Sequence, residues 1–144
     1  MRKVVSFVSL LALGACNTPF NPNLLPGSLA GTWSGSLSSA GVSVATVQLS
    51  LMPSPDARPG TPSRVTEWTV SGHWSMTLPS AADSGTASGK GTGPNQFMHF
   101  TLQGASDCSI VMVGLRIGGS SINGTYTASS CAVPDSGTFS ITKQ

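Results

Sequence analysis

From Leu29 onward the chain runs in short stretches in which apolar and polar residues alternate at every second position, with Gly, Ser, Pro and Asp between them. Alternation of period two marks strands with one buried face. It predicts strands over Leu29–Leu37, Val42–Leu51, Val65–Leu78, Ser84–Gly91, Gln96–Leu102, Cys108–Ile117, Ser121–Ser129 and Gly137–Thr142. No stretch carries the 3.6-residue period of an amphipathic helix. Eight strands is about the number at which an up-and-down sheet closes into a small barrel. The expected fold is therefore all-β, a single antiparallel up-and-down barrel of about eight strands over residues 29–144. In the third strand Trp68, Val70, Gly72, Trp74, Met76 and Leu78 alternate with Thr69, Ser71, His73, Ser75 and Thr77, and the first set should face the core. Glycine sits beside bulk on the same parity, as in Gly31-x-Trp33-x-Gly35-x-Leu37 and Ile122-x-Gly124-x-Tyr126, a large and small alternation that fills a tapering interior. Met52 to Ser63, with Pro53, Pro55, Pro59 and Pro62, reads as a long loop at a barrel mouth.

A turn-like run, Gly118-Gly119-Ser120-Ser121, separates the sixth and seventh strands. Cys108 and Cys131 are equidistant from the Gly119-Ser120 step, so a two-residue turn there sets them opposite each other, close enough for a disulfide. That register also opposes Ile117 with Ile122, Leu115 with Gly124, Val113 with Tyr126 and Val111 with Ala128 as one apolar face. Met112, Gly114 and Arg116 then lie with Thr127, Thr125 and Asn123 on the other.

The N-terminal segment is of a different kind. Arg2 and Lys3 precede an apolar run, Val4 to Leu13, of about ten residues, where a membrane-crossing helix needs roughly 20. Basic start, short apolar core and the small residues of Leu13-Gly14-Ala15-Cys16 resemble the signal and lipobox of bacterial lipoproteins. The resemblance implies a signal peptide over 1–15, cleavage after Ala15 and lipidation of Cys16, which would hold the chain on a membrane through its N-terminal lipid. Asn17 follows the cysteine in place of the aspartate that retains enteric lipoproteins in the inner membrane, and so points to the outer membrane or cell surface. Residues 16–28 then form the lipidated cysteine and a flexible tether. From Asn17 to Ser28 it carries three prolines and no periodicity, and extended it would reach roughly 40 Å.

Composition narrows the chemistry. Arg2 and Lys3 are two of the seven basic residues, so the chain after the signal holds five basic residues, Arg58, Arg64, Lys90, Arg116 and Lys143, against five acidic ones, Asp56, Glu67, Asp83, Asp107 and Asp135. A neutral chain without a basic cluster does not fit nucleic acid as a partner. With Cys16 assigned to lipid, Cys108 and Cys131 remain as an even pair suited to an oxidising compartment. Gly31-Thr32-Trp33-Ser34-Gly35 sets its serine one position late for a nucleophile elbow. Gly85-Thr86-Ala87-Ser88-Gly89-Lys90-Gly91 is one spacer short of a phosphate loop and has glycine where the metal-binding hydroxyl belongs. His73 and His99 lack a carboxylate or cysteine at ligand spacing and are expected on the outer face. No catalytic residues, cofactor or metal are therefore expected.

Leu29-Ala30-Gly31-Thr32-Trp33 resembles the Gly-x-Trp opening of the lipocalin and avidin families, and Gly124-Thr125-Tyr126 and Gly137-Thr138-Phe139 resemble strand patterns of the same small barrels. The lipocalin resemblance implies that Trp33 packs at a closed end of the barrel beneath a basic residue from a late strand, Arg116 or Lys143. Avidins hold biotin between tryptophans of later strands, and no tryptophan follows Trp74, so biotin is not expected. The leading expectation is a non-enzymatic envelope lipoprotein. The alternative is a carrier that holds a small hydrophobic ligand among Trp33, Trp68, Trp74, Phe100 and Tyr126. A third reading, from small secreted inhibitors with this barrel, is a protease inhibitor that meets a protein partner through the Pro-rich loop near Asp56 and Arg58.

Overall fold

A computed structural model describes residues 29–53, 67–92, 97–117 and 119–144. Eight strands follow one another: β1 (Gly31–Ser39), β2 (Val42–Pro53), β3 (Glu67–Thr77), β4 (Ala82–Thr92), β5 (Phe97–Gly104), β6 (Ser109–Ile117), β7 (Ser121–Ser129) and β8 (Ser136–Lys143). Each pairs antiparallel with the next, and β8 returns to β1 to close the barrel. Closure leaves no sheet edge to pair with another chain. The predicted signal peptide, Cys16 and the tether lie outside the described residues, as do positions 54–66 of the Pro-rich loop. β2 runs further than its sequence suggests, since Met52 pairs with Ser71 and Pro53 with Val70. Proline is tolerated there because it ends the strand.

The two ends of the barrel differ. At one, here the entry end, β1, β3, β5 and β7 begin and β2, β4, β6 and β8 finish. At the other, the disulfide end, β1 turns into β2 through Ala40 and Gly41, whose φ values of 50° and 80° are those of a two-residue hairpin turn. That end is tied by the Cys108–Cys131 disulfide, with Cα atoms 4.6 Å apart.

Inward positions come from every strand and form one core. Trp33 and Leu37, Val47 and Leu49, Val70 and Trp74, Ala87, Phe100 and Leu102, Ile110 and Met112, Ile122 and Tyr126, Phe139 and Ile141 are all buried in it. Glycines on the same parity let neighbours close in. A Cβ at Gly35 would lie 1.8 Å from the Ser140 carbonyl oxygen, and one at Gly124 would lie 2.0 Å from that of Val113. Only glycine allows strands to approach so closely.

The sixth and seventh strands pair one residue away from the register expected of them. Ile117 faces Ser121, Arg116 faces Ile122, Met112 faces Tyr126 and Ile110 faces Ala128. Three residues, 118–120, make the connection, and Gly119 takes a left-handed φ of 83°. The inward set of β6 is therefore Ile110, Met112, Gly114 and Arg116, while Leu115 and Ile117 are exposed on the outer wall. The disulfide survives the shift because both cysteines lie outside the ladder. Ser130, with φ 57°, turns the chain after β7 and brings Cys131 to Cys108.

Candidate functional site

Two groups of interior residues carry polar chemistry, one toward each end of the barrel. At the entry end Trp33 is fully buried, and its indole N–H donates to the Leu29 carbonyl at 2.9 Å. Lys143 at the end of β8 places its ammonium 6.0 Å from the Trp33 ring centroid, and the Arg116 guanidinium carbon lies 5.8 Å from it. Both distances suit a cation over an aromatic face. The Arg116 Nε donates to the Gly119 carbonyl at 3.0 Å, and its Nη2 donates to the same oxygen. Burial lowers the pKa of Arg116 from its ordinary value, yet a guanidinium keeps its charge at any working pH. The basic partner implied for Trp33 is thus present twice, from β6 and from β8. The hairpin register expected from the sequence sets Arg116 on the face opposite the apolar one, whereas the structure turns it inward. Its alternation with Ile110, Met112 and Gly114 was the available signal for the inward placement.

Tyr126, on β7, is 1% exposed, and its hydroxyl is buried without a hydrogen-bond partner among the described residues. A Cβ at Gly137 on the adjoining β8 would lie 2.7 Å from the Tyr126 Cε1, so the ring packs into the room this glycine leaves. Desolvation raises the phenol's pKa above its ordinary value.

The remaining expected ligand residues, Trp68, Trp74 and Phe100, lie on β3 and β5. Trp74 spends its indole N–H on the Gln103 carbonyl at 3.2 Å. Phe100 covers Gly89, where a Cβ would meet the ring at 2.5 Å. Trp68 lies in β3 opposite Gly91, and its side chain is outside the described residues. Trp33 and Trp74 bond to backbone at opposite ends of the barrel, so these two rings do not share one cleft.

The outer wall is mostly hydroxyl-bearing. His73 and His99 are exposed on it, and shallow depressions run along it, one of them lined by Ser71, Ser88, Lys90, His99 and Thr101. Asp83, at the disulfide end, accepts from the Ser84 backbone N–H at 2.7 Å and the Ser106 hydroxyl at 3.3 Å. Among the described residues no three His, Cys, Asp or Glu side chains converge as metal ligands would.

No family model matches the chain, and no curated protein matches it. Two solved structures share its fold. One is a redesigned β-barrel, mFAP1, bound to DFHBI, with a TM-score of 0.55 and 14% identity over 83% of this chain and 97% of that one. The other is mFAP0, also a redesigned β-barrel bound to DFHBI, with a TM-score of 0.50 and 14% identity over 81% and 99%. At that identity the likeness extends to the fold alone: this chain is a closed, eight-stranded antiparallel β-barrel.

Proposed function

We propose that the protein is a non-catalytic lipoprotein of the bacterial cell envelope, a barrel module held at a membrane by lipid on Cys16. The observation that carries this reading is the order of parts along the chain. A basic start, a short apolar run and Leu13-Gly14-Ala15-Cys16 precede a Pro- and Asn-rich tether, and a self-contained barrel with its own disulfide follows. A disulfide in a module of this size suits an exported protein. The test is the mass of the N-terminal peptide of the protein extracted from its own host's membranes. Cleavage before Cys16, with a diacylglyceryl thioether and an acylated amino group, is the expected result. A free Cys16 thiol or an uncleaved N-terminus would end the reading.

A second reading has an observation of its own. The Tyr126 hydroxyl, buried and without a partner among the described residues, is the kind of group that fixes the polar end of an otherwise apolar ligand. Barrels of this fold have been solved with DFHBI bound, which supports a carrier role for a small hydrophobic molecule. Native mass spectrometry of host-derived protein tests it. A bound small-molecule mass would establish the carrier, and a bare protein mass would remove it.

A further inference from the structure

The described charges are divided between the two ends of the barrel. Lys90 near the end of β4, Arg116 near the end of β6 and Lys143 at the end of β8 all lie toward the entry end. Asp83 near the start of β4, Asp107 in the β5–β6 turn and Asp135 just before β8 all lie toward the disulfide end. Glu67, the first residue of β3, sets one acidic position at the entry end against these three basic ones, so the imbalance stands. Among the described residues the barrel is therefore positive at one pole and negative at the other.

Large apolar side chains in solvent follow the same division. Five are exposed among the described residues: Val42, Met52, Phe97, Leu115 and Ile117. Val42 is beside the β1–β2 turn at the disulfide end. The other four stand at the entry end, with Met52 finishing β2, Phe97 opening β5 and Leu115 and Ile117 closing β6. Phe97 and Leu115 are direct cross-strand partners. Since β2 and β6 lie on opposite sides of the closed barrel, these side chains frame the end of the cylinder. Solvent-facing apolar groups placed together in this way mark a contact surface.

We propose that the entry end of the barrel is a docking surface for an anionic phospholipid bilayer. Met52, Phe97, Leu115 and Ile117 enter the headgroup boundary, and the positive pole faces the lipid phosphates. The proposal rests on the lipid anchor proposed above in one respect. The tether from Cys16 reaches the barrel at this same end, so an anchored chain would already present it to the membrane. Apolar insertion and charge attraction act together at such surfaces, and each adds to what a lipid chain supplies. The acidic disulfide end would then face away from the membrane.

The test uses the whole mature chain, tether and barrel, carrying Cys16→Ser and exported behind an ordinary cleavable signal, so that no acyl chain contributes. It is floated with vesicles of equimolar phosphatidylglycerol and phosphatidylethanolamine, and separately with phosphatidylcholine vesicles. Binding to the anionic vesicles, weaker with added salt and weaker on phosphatidylcholine, is expected. Leu115→Ser with Ile117→Ser should lower the bound-to-free ratio by about tenfold or more, and Lys90→Glu should also lower it. Val42→Ser, exposed at the other end, should leave it unchanged. All these side chains face solvent, and an unaltered near-ultraviolet dichroism would confirm that the variants are folded. Absence of flotation with the anionic vesicles, or equal losses from the Leu115/Ile117 pair and from Val42, would overturn the proposal. The acylation state of Cys16 in the native protein is read separately, so anchoring and docking can fail independently.

Discussion

Replacing Tyr126 with phenylalanine should stabilise the barrel, the reverse of what most core substitutions do. The side chain is 1% exposed, and its buried hydroxyl has no hydrogen-bond partner among the described residues. The backbone ladder fixes Tyr126 between Met112 and Gly137, and phenylalanine would keep the ring contact over Gly137. A buried hydroxyl without a partner costs about 1–3 kcal/mol. Removing the oxygen also forfeits its few dispersion contacts, which leaves a net gain of about 1 kcal/mol, or roughly 4 °C in Tm for a domain of this size. Alkaline pH supplies a second signature. The unfolded chain releases the phenolic proton near its ordinary value of 10.0, whereas burial raises the folded value. Above that pH the folded state binds more protons than the unfolded one, so stability falls as pH rises, by up to about 1.4 kcal/mol per unit, until the folded pKa is passed. Tyr126→Phe should abolish this part of the alkaline loss. Urea melts followed by tryptophan fluorescence, at neutral pH and through the alkaline range, measure both effects. Tyr126 is the chain's one tyrosine, so tyrosinate absorbance of the native protein reports its titration directly. Destabilisation by Tyr126→Phe, or a native tyrosine titrating at its ordinary value, would refute the reasoning and mean that the hydroxyl is bonded or wet.

Two further substitutions test the frame around this core. Replacing both Cys108 and Cys131 with serine releases a link across 23 residues of sequence, and loop entropy alone sets the loss at about 3.5 kcal/mol. A shift in urea midpoint worth less than about 1 kcal/mol would mean that the adjoining turns already hold the disulfide end closed. Gly35→Ala would put a methyl 1.8 Å from the Ser140 carbonyl oxygen and 2.7 Å from the Ile141 Cα. Neither backbone atom can yield without opening the β1–β8 pairing, so a loss of about 2 kcal/mol or more is expected. An unchanged melting curve would show that β1 and β8 do not approach so closely there.

Strand positions and the closed barrel were legible because alternation survives in most strands and turn residues punctuate it. β7 is bounded as the pattern predicts, at Ser121 and Ser129. The inward parity of β3 also stands, with Val70, Trp74 and Met76 buried against exposed Ser71, His73 and Ser75. Boundaries slipped where composition misled. Pro53 read as loop, but the end of a strand needs no N–H from it. The cysteine pair was found by a spacing argument whose ladder was one residue out. Two cysteines beyond the strand ends constrain distance rather than register, and the left-handed Ser130 absorbs the difference. The Tyr126 hydroxyl was illegible in principle, since the absence of a partner depends on what surrounds it in three dimensions.

The slip in β6 has a physical cause that also bears on function. Residues 110–117 are apolar on both parities: Ile110 and Met112 on one, Val111, Val113, Leu115 and Ile117 on the other. Alternation cannot choose between two apolar faces, and the odd-numbered face is the more uniformly aliphatic. Packing chooses instead. With the even set inward, Gly114 leaves room for Phe139, whose Cζ would lie 2.8 Å from a Cβ at that position, and Arg116 reaches the Trp33 ring and the Gly119 carbonyl. With the odd set inward, Leu115 would fall in the ladder position that Gly114 now holds beside Gly124, where even a Cβ meets the Asn123 carbonyl oxygen at 2.5 Å. The interior therefore selects the less hydrophobic face of β6 for its shape, and Leu115 and Ile117 are left in solvent at the end where the chain enters. A strand in a module that ended its contacts at its own core could carry threonine or serine at those positions, as the outer faces of β3 and β7 do. The ambiguity that hides the register of β6 from its sequence is thus the same feature that gives the barrel the apolar rim on which the proposed membrane contact rests.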